Sequence, residues 1–352
     1  MSFFSPKLSK LILITLLTSI ATISFAKQKY TIAWTIYAGS MPLAYAQDSG
    51  ILKKWGEKFG FDLEAVQLND YIEAQTQFTS GSFDAVIAMS LDALTIPAAS
   101  GVDTTALMPL STSAGSDGII IRGKNKTLKD LKGKKVNLVE LSGSHYMLIR
   151  ALEKAGMSEK DVTVENTSDA DIAAIFEDKN AQVVATWKPQ LTEILKQYPD
   201  STLVFDSSDI YGEIVDVMAV KTKTLKNNPN LGKAIAGAWY EALSIMQNKQ
   251  NPRHKEMMNF MSKELSTDAA GLENQLKTID FFIPSKAKSF VTAPGFANKL
   301  KEMTKFSFNH GLLGDGAPSS DYIGIEMGTN KVVGNPNNIR LRFPTTWLEV
   351  AK

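Results

Sequence analysis

Cysteine is absent from the 352 residues of this sequence. Its absence excludes a disulfide framework, a thiol nucleophile, a zinc–thiolate site and lipid attachment through an N-terminal cysteine. A chain without disulfides must be stabilised by an ordinary apolar core, and this chain is longer than one core usually holds. We therefore expect two lobes.

Histidine is scarce, and neither sign of charge dominates. His145, His254 and His310 stand far apart without the spacing of metal ligands, so we predict no metal and no other cofactor. The formal net charge is +1 and no basic stripe is present, which excludes nucleic acid as a partner. A secreted hydrolase is the alternative of another class, but the sequence has no Gly-x-Ser-x-Gly elbow, and no spacing singles out a carboxylate pair.

Long apolar runs are also missing, and the one short run at the N-terminus has the setting of a secretory signal peptide. Lys7 and Lys10 precede the apolar run Leu11–Leu17, and Ser24 and Ala26 are small residues at the −3 and −1 positions of a cleavage site. The run is shorter than the roughly 20 residues that a membrane-spanning helix needs. We expect residues 1–26 to be cleaved; a retained anchor is the alternative.

Short β-branched runs alternate with amphipathic segments over the first third of the chain. The predicted strands are residues 30–34, 62–68, 83–87 and 104–110, and the predicted helices are residues 42–55, 71–79 and 91–99. This order is typical of a parallel sheet with helices on both faces, so the segment begins a doubly wound α/β lobe.

A second unit of the same kind starts near Asp117. Its predicted strands are residues 118–122, 136–139, 162–165 and 183–186, with helices that begin near Ser144, Ser168 and Pro189. A strand at 215–220 then returns toward the first unit. From residue 225 onward the chain is predicted to be a mostly helical C-terminal extension, whose last predicted helix is residues 286–308.

We call residues 27–112 together with 213–352 the first lobe, and residues 113–212 the second lobe. The chain crosses between the lobes twice, near residues 110–117 and 211–216. Two crossing strands predict a hinge about which the lobes close on a ligand.

Several blocks of sequence carry a family resemblance. Pro42–Gln47, Gly81–Ala85 and Leu128–Val136 resemble the nitrate/sulfonate/taurine-type periplasmic binding proteins of ABC importers. Within that group, further blocks resemble the branch associated with urea carboxylase pathways: Leu68–Glu73, Leu91–Ala99, Leu138–Tyr146, Thr167–Ile172, Thr186–Leu191 and Tyr322–Glu326. Together these blocks extend over nearly the whole chain after residue 27.

The resemblance implies the type II periplasmic binding protein fold and a monomer that is not an enzyme. Such a protein captures a small nitrogen compound, guanidinium or urea, and delivers it to an inner-membrane permease and ATPase. Binding proteins of the same fold for nitrate, sulfonate, taurine or pyrimidine precursors are the alternatives. Where the pattern leads us to expect a tryptophan, this sequence has Ser40, which implies a more open pocket or a different ligand.

Candidate ligand-binding residues follow from the rule that doubly wound sheets bind ligands beyond the carboxyl ends of their strands. The side chains that we expect at these ends, and at the returning crossover, are mostly acids, aromatics and hydroxyls. They are Trp34, Asp70, Ser90, Asp92, Glu140, Ser142, His145, Tyr146, Asp169, Trp187, Glu213 and Asp216.

This set is rich in carboxylates and aromatic rings and contains no arginine. Carboxylates accept paired hydrogen bonds from a planar cation, and aromatic faces attract it, so the set favours guanidinium over neutral urea. An anion would instead need helix N-termini and cationic donors.

Structural roles are the alternative for several of these residues. Asp92 and Asp169 occur where first-turn acids complement a helix dipole, and Trp187 could pack in the core of its lobe. Glu140 and Asp216 each adjoin an apolar strand, where an unpaired charge would be costly, so each needs a partner. A hinge ion pair is the alternative for Asp216.

Overall fold

The computed structural model describes residue 1 and residues 27–349. Residues 2–26 of the predicted signal peptide lie outside the described residues. Among the residues that are described, no helix combines the length and the apolar character that crossing a membrane requires.

Fourteen strands form two sheets in the described part of the chain. In chain order they are β1 Lys29–Thr35, β2 Asp62–Leu68, β3 Ala85–Met89, β4 Thr104–Ser113, β5 Asp117–Ile121, β6 Lys135–Leu138, β7 Thr163–Asn166, β8 Val183–Trp187, β9 Thr202–Asp206, β10 Val215–Lys221, β11 Ile279–Phe281, β12 Gly324–Met327, β13 Val332–Val333 and β14 Ile339–Phe343.

Thirteen α-helices cover these sheets in the same described segments. They are α1 Met41–Asp48, α2 Ile51–Lys58, α3 Tyr71–Ser80, α4 Ser90–Ala93, α5 Gly143–Lys154, α6 Ile172–Ile175, α7 Gln190–Gln197, α8 Thr222–Asn227, α9 Pro229–Gln247, α10 His254–Glu264, α11 Ala269–Leu276, α12 Pro284–Thr292 and α13 Pro294–Asn309. A π-helical turn, Leu94–Ala98, continues directly from α4.

The first lobe is built on a nine-stranded sheet. Its strand order is β13-β12-β14-β4-β10-β3-β1-β2, and β11 pairs with β4 outside that path. The prediction of a parallel sheet is correct for β1 with β2 and β3, but β10 runs antiparallel to both β3 and β4. The reason is the path of the chain between the lobes, because β4 runs toward the second lobe and β10 runs back from it.

The second lobe is built on a five-stranded sheet with the order β7-β6-β8-β5-β9. Strand β6 is parallel to β7 and β8, whereas β5 is antiparallel to β8 and β9. Asp117, the first residue of β5, therefore pairs with Trp187, the last residue of β8. This pairing puts the start of β5 and the end of β8 at the same edge of the sheet, the edge that faces the first lobe.

The C-terminal region is less helical than the sequence predicts. Four of its strands, β11 to β14, extend the sheet of the first lobe, and β14 pairs with β4 in parallel. These strands are short, between two and five residues, so they lack the alternating pattern that marks longer strands.

Two predicted helices are each divided in two. The predicted helix at residues 42–55 is α1 and α2, separated by Gly50, whose φ of 75° breaks helical geometry and favours glycine. The predicted helix at residues 286–308 is α12 and α13, and Pro294 begins the second of them because its fixed φ suits a first helical turn.

The apolar core is nearly continuous across both sheets. Helix α9 is buried along most of its length, and its Trp239 has no exposed surface. A smaller core under α6 and α7 includes Phe176 and Leu191. The core thus fixes each sheet rigidly, and the polar edges between the lobes are left to form a site.

Candidate functional site

A small cavity lies between the two lobes at the polar edges of both sheets. Its volume is about 50 Å³, against roughly 10–15 Å³ for one water molecule on the same measure. The lining residues come from both lobes: Thr35, Tyr37, Ser40, Tyr71, Ile87, Met89, Asp92, Asp117, Ser142, Gly143, Ser144, Trp187, Ile214 and Asp216. The cavity therefore has room for a solute of only a few heavy atoms.

Three aspartates dominate the chemistry of the cavity. Asp92 follows the end of β3 and is 1% exposed, Asp117 begins β5 and is 7% exposed, and Asp216 lies at the start of β10. Asp216 pairs with Met89 across the antiparallel strands, so it too lies at the carboxyl end of β3. Three strands from two lobes thus bring three carboxyl groups to one small space.

None of these aspartates has an ion-pair partner within 4 Å among the described residues. Burial raises the pKa of Asp92 to about 7, and burial together with the charges of Asp117 and Asp92 raises the pKa of Asp216 to about 7. Burial raises the pKa of Asp117 to about 6, although Ser113 and the charge of Lys188 act against it. A site of this kind either holds protons or holds a cation.

Two of the three carboxylates, those of Asp92 and Asp216, accept a hydrogen bond from their own lobe. The Tyr71 hydroxyl donates to Asp92 Oδ2 at 2.5 Å and accepts from the Met89 backbone N–H at 2.9 Å. The Ser111 hydroxyl donates to Asp216 Oδ2 at 2.9 Å. These bonds fix the carboxyl groups in place but leave oxygens free for a ligand.

Several buried polar atoms at the cavity have no hydrogen-bond partner among the residues that the structure describes. Asp92 Oδ1, the Tyr37 hydroxyl and the Ser144 hydroxyl are buried without a hydrogen bond. Buried polar groups nearly always have a hydrogen-bond partner. All three residues line the cavity, so a group bound there would be in position to supply their missing partners.

Two aromatic rings close one side of the cavity. The rings of Tyr71 in the first lobe and Trp187 in the second lobe meet edge to face, with centroids 5.7 Å apart. The N-terminus of α5 contributes Ser142, Gly143 and Ser144 to the lining. The cavity is thus lined by residues of both lobes.

Four of the twelve predicted residues line the cavity: Asp92, Ser142, Trp187 and Asp216. Two more join the lobes beside it. Asp70 Oδ2 accepts from the Ser168 hydroxyl at 2.8 Å, and Asp169 Oδ1 accepts from the Tyr71 backbone N–H at 3.2 Å. Asp169 is 1% exposed, and burial raises its pKa to about 6.

The remaining six predicted residues do not line the cavity. Trp34 and Ser90 are buried in the first lobe, and Ser90 contacts Met303. Tyr146 donates to Glu213 at 2.7 Å, and Arg150 pairs with the same carboxylate at 3.0 Å.

His145 and Glu140 also lie away from the cavity. The His145 Nε2 atom bonds Glu159. Glu140 is exposed in the turn after β6, so it needs no buried partner, contrary to the prediction.

Asp117, Tyr71 and Ser144 are the main lining residues that were absent from the predicted site. Asp117 escaped the strand-end rule because it begins its strand, and only the antiparallel pairing of β5 with β8 brings it to the ligand-facing edge. Tyr71 directly follows the selected residue Asp70, and Ser144 lies two residues after the selected residue Ser142. A wider window after each predicted strand would have found both. Ser40, which stands where a tryptophan was expected, lines the cavity and is 2% exposed.

Comparison with known proteins agrees with this architecture. The model of the family described as NMT1/THI5 like matches residues 93–252. A binding protein of Brucella abortus (strain 2308) is 27% identical over 245 residues, which are 68% of this chain and 72% of that protein. The taurine-binding periplasmic protein of Escherichia coli (strain K12) is 23% identical over 238 residues, 65% of this chain and 70% of that one.

Among solved structures, the alkanesulfonate-binding protein SsuA from Xanthomonas axonopodis pv. citri, bound to MOPS, superposes with a TM-score of 0.68 at 16% identity, covering 83% of this chain and 96% of that one. This chain has the type II periplasmic binding protein fold. The fold predicted by the resemblance is thereby confirmed. These relatives are binding proteins and not enzymes, which agrees with the prediction that this chain is not an enzyme.

Proposed function

We propose that this protein is the periplasmic solute-binding component of an ABC importer and that a membrane permease and an ATPase receive its solute. The fold, the cavity enclosed by two lobes and the similarity to periplasmic binding proteins support this proposal. The predicted signal peptide at residues 1–26 would deliver the chain to the periplasm.

The solute that fits the cavity best is a small planar cation, and guanidinium is our first candidate. The observation that carries this proposal is the group of three aspartates that have no ion-pair partner within 4 Å among the described residues. Burying an ionised carboxylate costs several kcal/mol unless a counter-charge or hydrogen bonds compensate. A guanidinium would supply both charge and N–H donors, including one for the unpartnered Asp92 Oδ1.

The dimensions and walls of the cavity agree with a cation of four heavy atoms. A volume of about 50 Å³ corresponds to roughly three to five water molecules. The rings of Tyr71 and Trp187 offer the aromatic surface that attracts a planar cation. At about −1.5 kcal/mol per heavy atom for the best small ligands, four atoms give a Kd of roughly tens of micromolar.

Urea has the same shape as guanidinium but no charge, so it would leave the carboxylates uncompensated. A sulfonate or taurine is the second candidate, because the N-terminus of α5 and the unpartnered Ser144 hydroxyl face the cavity. Helix N-termini favour anions. Taurine, a zwitterion, could place its sulfonate there and its ammonium against the aspartates.

The decisive experiment is calorimetric titration of the mature chain (residues 27–352) with millimolar guanidinium, urea, nitrate and taurine. We expect guanidinium to bind, and Asp216→Asn to weaken it by at least tenfold because one carboxylate is lost. Asp48→Asn, at an exposed position on α1, is the matched control and should bind as the wild type does. Tight binding of an anion with indifference to guanidinium would refute the cation proposal while leaving the importer role intact.

A further inference from the structure

A second cluster of titratable side chains joins the lobes away from the cavity. Glu159 of the second lobe contacts two imidazoles: Oε1 lies 2.8 Å from His145 Nε2, and Oε2 lies 2.7 Å from His310 Nε2. His145 belongs to the second lobe, whereas His310 follows α13 in the first lobe. One carboxylate therefore ties the two lobes together, although the sequence spacing of the histidines gave no sign that they meet.

The hydrogen bonds around His145 require only its neutral form. Its Nδ1 atom accepts from the Leu141 backbone N–H at 3.1 Å, so the ring proton lies on Nε2 and is donated to Glu159. Burial lowers the pKa of His145, and this outweighs the opposite effect of Glu159. The charge of His310 lowers it further, which also keeps His145 neutral.

His310 differs because both of its nitrogens face acceptors. Nδ1 lies 2.9 Å from the Phe306 carbonyl oxygen, which can only accept, so Nδ1 carries a proton. Nε2 lies 2.7 Å from the Glu159 carboxylate. Both contacts are hydrogen bonds only if the pair binds one proton more than a neutral imidazole has, as the imidazolium of His310 provides.

Loss of that proton would turn an attraction into a repulsion. In the observed ring orientation, a neutral His310 must present a lone pair either to the Phe306 carbonyl or to Glu159. Burial raises the pKa of Glu159, but hydrogen bonds from His310 and His145 outweigh it and hold that pKa below its usual range. The carboxylate therefore stays charged. The titratable groups facing His310 are Glu159 and His145, and Glu140 acts on His145 from further out.

A metal ion explains the cluster less well than a proton does. The three ligand atoms lie within 4.8 Å of one another. However, a histidine that binds a metal through Nε2 must carry its hydrogen on Nδ1. In His145 that position already accepts the Leu141 N–H.

We propose that His310 is a positioning residue that, with its proton, fastens the closed clamp to Glu159. Neither residue lines the cavity, so the contact would act on solute affinity only by stabilising the closed arrangement. A histidine changes charge between about pH 5 and 8, so closure would be favoured at acidic pH. This inference rests on the proposed function, since it takes closure of the lobes as the binding event.

The test compares the mature wild type with His310→Asn and Glu159→Gln, in EDTA, at pH 6.0 and pH 8.5. The comparison uses small-angle scattering of the solute-free protein. Of these three proteins, only the wild type should have a smaller radius of gyration at pH 6.0 than at pH 8.5. His254→Asn, which removes a histidine of α10 outside the cluster, is the matched control and should follow the wild type. His310→Lys keeps a permanent cation opposite Glu159 and should remain compact at both pH values.

Solute affinity provides the second measurement. The ratio of the Kd of His310→Asn to that of the wild type should be about three to ten at pH 6.0 and near one at pH 8.5. Taking the ratio cancels any titration of the cavity aspartates.

Three results would overturn the proposal. They are a ratio of Kd values that does not depend on pH, a wild-type radius of gyration that does not change with pH, and compaction that EDTA abolishes. The last of these would indicate a metal instead. If no solute binds at any pH, the proposed function fails, while the scattering data still decide on this contact.

Discussion

Met89 of the first lobe lies directly over Gly143 of the second. A Cβ atom added to Gly143 would stand 2.5 Å from Met89 Sδ, closer than such atoms approach in proteins. Both residues line the cavity. The glycine therefore leaves room for the Met89 side chain at this contact between the lobes, and a larger residue would require that side chain to move.

Gly143→Ala should keep the lobes slightly apart. We expect solute affinity to fall by about tenfold, or about 1.4 kcal/mol, since the contacts between lobes would be lost in part. The melting temperature should change little, because the flexible end of Met89 yields in the open form. Gly295→Ala, where an added Cβ meets nothing within 4 Å, is the control; equal affinities of the two variants would contradict the prediction.

The stability of the solute-free protein should fall as pH rises. The pKa of Asp92 and that of Asp216 are raised to about 7, above the usual value of about 3.9. A group whose pKa is raised on folding contributes stability that is complete below the unfolded pKa and is lost as pH rises through the folded pKa. The melting temperature should therefore decline between about pH 4 and pH 8, by roughly 2–4 °C for each kcal/mol.

Asp92→Asn should make the decline in melting temperature smaller, because asparagine has no titrating carboxyl group. Its side-chain oxygen can still accept the hydrogen bond from the Tyr71 hydroxyl. Calorimetric scans at four pH values for the variant, the wild type and Asp48→Asn would measure it. A decline of the same size in all three proteins would mean that the cavity aspartates are not its cause.

Binding of a cation should release protons near pH 6. A bound positive charge favours the ionised form of Asp92 and Asp216, so their protons leave as the cation enters. Titrations in phosphate and in Bis-Tris, which both buffer near pH 6, should then give different observed enthalpies, because the two buffers take up protons with different heats. Identical enthalpies in the two buffers would argue for a neutral solute.

Tyr71→Phe should weaken binding without preventing folding. The substitution removes the hydroxyl that donates to Asp92 and accepts from the Met89 N–H, but it keeps the ring against Trp187. One lost hydrogen bond to a charged group corresponds to about 1.5–3 kcal/mol. We expect about a tenfold or greater rise in Kd by titration; unchanged affinity would show that Asp92 does not depend on this support.

The mature protein should begin at Lys27. Cleavage after Ala26 follows from the small residues Ser24 and Ala26. Intact-mass measurement of protein exported from a bacterial host would check it, and Ala26→Leu should block processing. Export of an uncleaved chain would favour a membrane anchor.

Prediction from sequence was most successful where local patterns decide the outcome. Strand β1, helix α3 and strand β8 were located closely because alternation and periodicity mark each of them within a few residues. Asp92 and Trp187 were selected by the strand-end rule, and both line the cavity. These features depend on the segment that contains them.

The rest depends on pairing between distant segments, which a single sequence does not reveal. Asp117 reaches the cavity only because β5 is antiparallel to β8, and His310 meets Glu159 across 151 positions of sequence. Glu140 was selected because it follows an apolar strand, but the turn after that strand directs it to solvent. Register and turn geometry decided each of these cases.

The C-terminal strands have a consequence for the order in which the chain folds. Strand β14 pairs with β4, and β4 pairs with β10, so the sheet that contains β1 is completed by residues near position 340. Pairings between segments this distant form slowly. During synthesis, the first lobe thus cannot reach its final structure before almost the entire polypeptide has left the ribosome, which prolongs the interval in which an export apparatus can engage an unfolded chain.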